Sequence, residues 1–243
     1  SIAEVKGKEI PIQGGTYRRP LESMPRTLDP TLARDLYSVT VIQQLFDGLV
    51  QFDQNLNVIP AIAKSWKISH DGLTYTFFLR EDVKFHNGRE ITAEDFVYSF
   101  TRIADPKNKS PGAHLLGKVS GFNEFKDGKT DSVKGFKFVD KIEKPDSVFS
   151  TNPIGSGPYK FLSMKEKEEI ILESNPDYFE GKPYLNKVVF KIFHGAPRER
   201  ILKEFREGGL EESFLPPEEI ENVVREKRYL FLRKPRLSLR FYG

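Results

Sequence analysis

The stretch from Trp66 to Arg102, WKISHDGLTYTFFLREDVKFHNGREITAEDFVYSFTR, constrains the fold more than any other part of the chain. Trp66 and Ile68 precede the Asp71-Gly72 dipeptide, and Leu73, Tyr75, Phe77 and Leu79 alternate after it. Asp-Gly tolerates the positive φ of a tight type I′ turn, and period-two alternation lines up apolar side chains on one side of a strand. Together they predict a hairpin with one buried face. Asn87-Gly88 predicts a second turn. Thr92 and Asp95 have the spacing of a capping box, with the shorter Asp in place of Glu or Gln. Phe96, Val97, Phe100 and Ile103 then form the apolar stripe of a helix. On pattern alone the block is an α/β building unit in which every residue serves as core, turn or cap.

The flanking sequence continues in the same style. Gly14-Gly15 opens a strand at TYRR, and LDPTLARDLYS reads as an extended piece leading into a helix from about Ser38 to Phe46 that Asp47-Gly48 ends. LVQFDQNLNVIPAIAKSW reads as strand, turn at Asp53 to Asn55, strand and short helix. After Arg102 come breaks at Asp105-Pro106 and Ser110-Pro111-Gly112, a helical stretch, a Gly-containing loop and a strand at Phe136 to Val139. EIILES and KVVFKIF are strands, followed by a helix from about Ala196 to Glu207 and another in PEEIENVVREK, whose early acidic residues suit the macrodipole. RLSLRFYG reads as a final strand.

Several chemistries are disfavoured by what the chain contains. It has no cysteine, so no disulfide or thiolate metal site, and no run of about 18 apolar residues that would span a membrane. SIAEVKGKEIPI lacks a charged head before an apolar block, so a signal peptide is read as absent or already removed. His70, His86, His114 and His194 are dispersed, with no pair at a ligand spacing. GSGPYK lacks the spacing and the Gly-Lys-Ser/Thr ending of a phosphate loop, and Ser156 has no glycine two residues before it, so it is no nucleophile elbow. Glu211-Glu212 and Glu218-Glu219 are adjacent residues pointing apart, which fits capping better than acid–base catalysis. The net charge of +3 is interspersed, and RYLFLRKPRLSLRFY reads as half-exposed strand rather than a nucleic-acid surface.

The wording of the opening block goes further than its periodicity. DGLTYTFFLREDVKFHNGREITAEDFVYSFTR resembles the signature of the family-5 extracytoplasmic solute-binding proteins, the oligopeptide- and dipeptide-binding components of ABC importers. Further matches follow in the family's order: GGTYRR at Gly14 to Arg19, TLDP at Thr27 to Pro30, LFDGLV at Leu45 to Val50, NPIGSGPYKF at Asn152 to Phe161 and NPDYFEGKPYL at Asn175 to Leu185. The resemblance covers nearly the whole chain. At Lys141-Ile142 the chain passes directly to the NPIGSGPY region, where the family continues a second strand and a helical segment. Either a deletion or an omitted stretch accounts for that junction.

The resemblance implies an α/β, periplasmic-binding-protein-like (class II) lobe I with an inserted subdomain, the second lobe being missing from this chain. Lobe Ia is expected at 1–43 and 152–238, subdomain Ib at 44–151, and the start of the crossover to lobe II at 239–243. A longer natural chain is expected. The implied function is capture of short peptides for an ABC transporter permease, outside the cytoplasm, in the periplasm or as a cell-surface lipoprotein. The alternatives are another solute, such as a metal chelate or oligosaccharide, and a sensor or regulator built on the fold. No enzymatic reaction, cofactor, metal or nucleic-acid partner is expected; the protein is expected to be a monomer, touching the membrane only through the permease or a lipid anchor. By register with the family, Arg34, Asp35, Leu36, Tyr37 and Ser38 are expected as a ligand-facing open edge, His114 and Leu115 as wall, and Arg236 and Phe241 on the hinge side.

Overall fold

The computed structural model describes residues 13–138, 153–226 and 229. The Lys141-Ile142 junction and the expected C-terminal strand lie outside them. A four-stranded sheet is built from β1 (Thr16–Leu21), β6 (Tyr159–Lys165), β7 (Glu169–Ser174) and β8 (Lys187–Ile192), in the order β1-β8-β7-β6. β1 runs parallel to β8, whereas β8, β7 and β6 are successively antiparallel. The alternation in the strands decides the faces. Ile170, Leu172, Val188 and Phe190 bury on one face beneath α1 (Leu36–Leu45), which contributes Val41 and Leu45. On the opposite face Lys191 reaches Glu204 of α4 (Arg198–Arg206) at 2.8 Å.

Between α1 and β6 lies an inserted unit. It comprises two antiparallel hairpins, β2 (Val50–Phe52) with β3 (Val58–Pro60) and β4 (Ala63–Ile68) with β5 (Tyr75–Leu79), then α2 (Ala93–Ala104). The 3-10 turns Pro106–Asn108 and Ala113–Leu116 and the short helix α3 (Phe122–Lys126) complete it. α2 joins two small cores: Phe96 packs against Ile62, Val83 and Ile91, while Ala104 meets Phe122 and Val133. The Thr92–Asp95 spacing works as expected, with the Thr92 amide donating to Asp95 Oδ2 at 2.9 Å. Asp95 also takes the Arg89 guanidinium at 2.6 and 3.1 Å. Past Leu210 the chain forms a 3-10 turn, Pro217–Glu219, and α5 (Ile220–Arg225).

Three expectations need correction. The predicted short helix after Pro60 is strand β4, because Ala63–Ile68 pairs along Tyr75–Leu79 and tertiary pairing overrides a weak local preference. The Asp71-Gly72 connection is not a two-residue I′ turn. Only Gly72 takes a positive φ, +72°, and the loop closes from the Ser69 amide to the Thr74 carbonyl. Asp71 instead uses its carboxylate to accept from the Leu73 amide at 3.0 Å. The hairpin's apolar side is only half covered: Trp66, Phe77 and Leu79 are partly buried, but Leu73 near the tip is 82% exposed. Helix α1 runs on to Leu45, which is wholly buried in the sheet core.

Candidate ligand-binding site

The segment Leu28–Asp35 is held at both ends and open in the middle. Leu28 is buried in the sheet core, and next to it the Asp29 carboxylate meets the Arg102 guanidinium of α2 at 2.7 Å. Asp29 also accepts from the Thr31 amide and hydroxyl at 2.9 and 2.8 Å. Burial alone would raise this carboxyl, but Arg102 and the two Thr31 donors outweigh it and hold Asp29 below the ordinary aspartate range. At the other end Asp35 caps α1, accepting from the Ser38 amide at 2.8 Å. Between these pins the Ala33 and Arg34 amides donate to nothing among the described residues. Leu32 and Arg34 are exposed.

A second segment lies alongside. The Arg34 guanidinium donates to the Lys109 carbonyl at 3.3 Å, and the Ser110 hydroxyl to the Thr31 carbonyl at 2.6 Å. His114 and Leu115 follow on the 3-10 turn Ala113–Leu116, both exposed, Leu115 by 75%. His114 Nδ1 is 2.8 Å from the Pro111 carbonyl, so that nitrogen carries the proton. The structure thus brings the expected edge and the segment carrying the expected wall together through Arg34 and Thr31. Arg236 and Phe241 lie outside the described residues.

Only part of the expected edge is extended chain. α1 begins at Leu36, so Leu36, Tyr37 and Ser38 form its first turn rather than an extended strand. Ser38 is fully buried, and its hydroxyl donates to Asp35 Oδ2 at 2.7 Å while accepting the Arg26 and Thr27 amides. Tyr37 packs against the sheet core. Asp35 spends both carboxylate oxygens on Ser38. Of the five, Arg34 and Leu36 present side chains outward, Leu36 with 52% exposure. The reason is the Asp35–Ser38 cap, an Asp-x-x-Ser spacing that was visible in the sequence and starts the helix two residues earlier.

Behind this face the Gly155-Ser156-Gly157 turn clamps the end of α1. The Gly157 amide donates to the Leu45 carbonyl at 2.9 Å, and Ser156 Oγ accepts the Asp47 amide at 3.1 Å. A Cβ on Gly155 would stand 1.7 Å from the Leu45 oxygen, so glycine is needed for close approach rather than for unusual φ. His86 locks the turn from the other side, with its Nδ1 accepting the Gly155 amide at 3.2 Å and Nε2 donating to the Gly157 carbonyl at 3.1 Å. Burial pushes its pKa down to about 4, against the Gly157 hydrogen bond and with help from Lys160. Burial likewise pushes the Asp47 carboxyl up to about 7, a rise that the Tyr178 hydroxyl, 3.3 Å away, reduces and Glu180 reinforces. Three residues of the two acidic pairs form ion pairs: Glu211 with Arg18, Glu212 with Arg19 at 2.9 Å, and Glu219 with Arg206 at 3.1 Å. Among the described residues no cluster of His, Asp and Glu could hold a metal ion. The Leu28–Asp35 segment offers open main chain at Ala33 and Arg34 and apolar side chains beside it.

The sequence matches the family described as bacterial extracellular solute-binding proteins, family 5 Middle, over residues 57–146 and 131–243. The dipeptide-binding protein of Lactococcus lactis subsp. cremoris (strain MG1363) is 31% identical over 239 residues, covering 82% of this chain and 43% of the relative. Heme-binding protein A of Haemophilus influenzae is 32% identical over 194 residues, covering 63% and 35%. Among solved structures, the Escherichia coli murein tripeptide binding protein MppA superimposes with a TM-score of 0.72 at 27% identity, covering 89% of this chain and 48% of that one. The chain spans less than half the length of these relatives.

Proposed function

The chain belongs to the bacterial extracellular solute-binding proteins of family 5, and from that premise we propose that it captures short peptides outside the cytoplasm and delivers them to the permease of an ABC transporter. Its α/β architecture is that of one lobe of a periplasmic binding protein. In this reading the four-stranded sheet with α1 and α4 is lobe Ia, the unit from β2 to α3 is the inserted subdomain, and the ligand is enclosed against a second lobe. Among the described residues no helix is long and apolar enough to cross a membrane. The protein works as a monomer and meets the membrane through the permease or a lipid anchor.

The observation that carries the peptide reading is the unpaired main chain at Ala33 and Arg34, flanked by exposed Leu32, Leu36 and Leu115. A peptide laid along it pairs through main-chain groups that any sequence supplies, so affinity is general and side-chain preference loose. Arg34, Leu36, His114 and Leu115 are assigned to the ligand face, with Asp35, Tyr37 and Ser38 holding it from behind.

Calorimetric titration of the full-length protein with a short mixed-sequence peptide tests this. Ala33→Pro removes one donor and is expected to weaken binding by about 1–3 kcal/mol, through an unpaired peptide acceptor. Leu36→Pro falls at the first position of α1, where proline is tolerated, and is expected to change affinity little. Circular dichroism guards against misfolding. Equal affinities for wild type and Ala33→Pro would remove this segment from the site. The similarity to heme-binding protein A favours one second reading, an apolar non-peptide solute, which haem binding without peptide binding would support.

A further inference from the structure

A cavity of about 190 Å³ lies beside the peptide face, between α2, the Phe46–Asp47 end of α1 and the Ile154–Ser156 loop. Pro30 and Thr31, from the same segment as the open Ala33 and Arg34 amides, form part of its wall. Pro30 is exposed, as are the lining residues Asn87 and Arg89, so the cavity reaches solvent at this rim. Inside, the walls are apolar: Ile62 and Ile91 are buried, and Phe85, Phe96 and Ile103 are partly so. Two arginines line it, and each has a carboxylate partner: Arg89 is held by Asp95 at 2.6 Å and Arg102 by Asp29 at 2.7 Å. Asp47 brings no free charge to the space, because its Oδ2 is closed off and its Oδ1 faces the Tyr178 hydroxyl at 3.3 Å.

Resting on the peptide reading above, we propose that this cavity is a side-chain pocket of the peptide site, and that it takes one phenylalanine-sized apolar side chain of the bound peptide. Size permits a phenyl ring, since a cavity of about 150 Å³ in another protein accepts benzene. Reach permits it too. The Leu32 amide closes a turn onto the Asp29 carbonyl at 3.1 Å, with Pro30 and Thr31 at its corner. Pro30 stands three residues before Ala33, at most about 11 Å away even along a straight chain. A peptide paired at Ala33 therefore comes level with the rim within about three residues of its own. Chemistry selects the apolar group. Protein interiors close-pack with few voids wider than a water molecule, and an apolar cavity holds water poorly. A charged side chain would have to displace one of two existing ion pairs or stay unpaired among apolar walls, whereas a hydrocarbon leaves both pairs intact. Side-chain preference thus stays loose along the rest of the peptide and is set at one position.

The test titrates the full-length protein calorimetrically with hexaalanine and with hexaalanine in which each alanine in turn is replaced by phenylalanine. At least one placement is expected to tighten binding by about tenfold or more over hexaalanine. Ser99→Leu adds bulk to the cavity wall from α2 and is expected to erase that gain. In wild type, toluene, a ring with no backbone, is expected to weaken binding of the favoured peptide and not of hexaalanine. The pocket alone is overturned if every peptide binds as hexaalanine does, or if the gain survives Ser99→Leu. Failure of all the peptides to bind overturns the peptide reading together with the pocket. Should Ser99→Leu fail to fold, the toluene competition still decides, and toluene without effect on the favoured peptide would overturn the proposal.

Discussion

Asp47 and His86 flank the same glycine turn, and burial displaces them in opposite directions, Asp47 to about 7 and His86 to about 4. Their linkage to folding has opposite signs. Asp47 binds its proton more tightly folded than unfolded, so its contribution is fully present below pH about 4 and is lost as pH rises through about 7. His86 is neutral when folded and protonates near 6.5 when unfolded, so its contribution is present above 6.5 and is lost as pH falls through about 4. In the shared window the slopes oppose, each on the order of 1 kcal/mol per pH unit. Wild-type stability is expected to be nearly flat between about pH 4.5 and 6. Asp47→Asn should unmask a rise with pH, and His86→Gln a fall. Urea titrations across that range check both, and parallel curves for all three proteins would refute the assignment. Neither residue could be assigned this role from sequence. His86 stands in a turn and reads as a surface histidine, because the carbonyl that buries it belongs to Gly157, 71 residues later.

Elements with local causes were legible. The Thr92–Asp95 spacing placed the start of α2, and the alternation in EIILES and KVVFKIF placed β7 and β8. Elements whose form depends on distant partners were not. The first half of β4 reads locally as helix and is strand by its pairing with β5, and Leu36 to Ser38 read as extended chain although the Asp35 cap makes them the first turn of α1. The Gly155-Ser156-Gly157 turn looked generic for the same reason: the need for glycine comes from the Leu45 carbonyl pressed against it. Gly155→Ala therefore has nowhere to put its methyl group without moving α1 from the turn. It is expected to cost at least about 3 kcal/mol, or to prevent folding, as read by chemical denaturation. Gly181→Ala, with no atom within 4 Å of the added carbon but a φ of +103°, should show only backbone strain. A Gly155→Ala protein as stable as wild type would mean that the clamp is loose.

At the scale of the whole molecule, one ion pair ties the inserted unit to the sheet. Asp29 follows core residue Leu28, and Arg102 comes from the last turn of α2. Arg102→Met would leave the Asp29 carboxylate buried without its cation, a loss of about 3–5 kcal/mol. The double variant Asp29→Asn with Arg102→Met should recover part of it. Denaturation of the three proteins measures the coupling, and additive losses would show that the two residues act independently. The α/β class and the order of segments were readable because the family motifs run through nearly the whole sequence. Which of the residues Arg34 to Ser38 are extended was less so, since that depends on where α1 begins.

The parallel pairing of β1 with β8 also sets a timetable. β1 begins at Thr16 and its partner at Lys187, with the entire inserted unit between them. A chain emerging from the ribosome can close the β2–β3 and β4–β5 hairpins within a few residues of completing them, but β1 waits for the last described strand. Contacts so distant in sequence are slow to form, and until they do the apolar side chains beneath α1 lack the floor of the sheet. The inserted unit is thus the early-folding part of the molecule, and the sheet that carries the candidate site the late one, exposed to premature association for as long as synthesis takes.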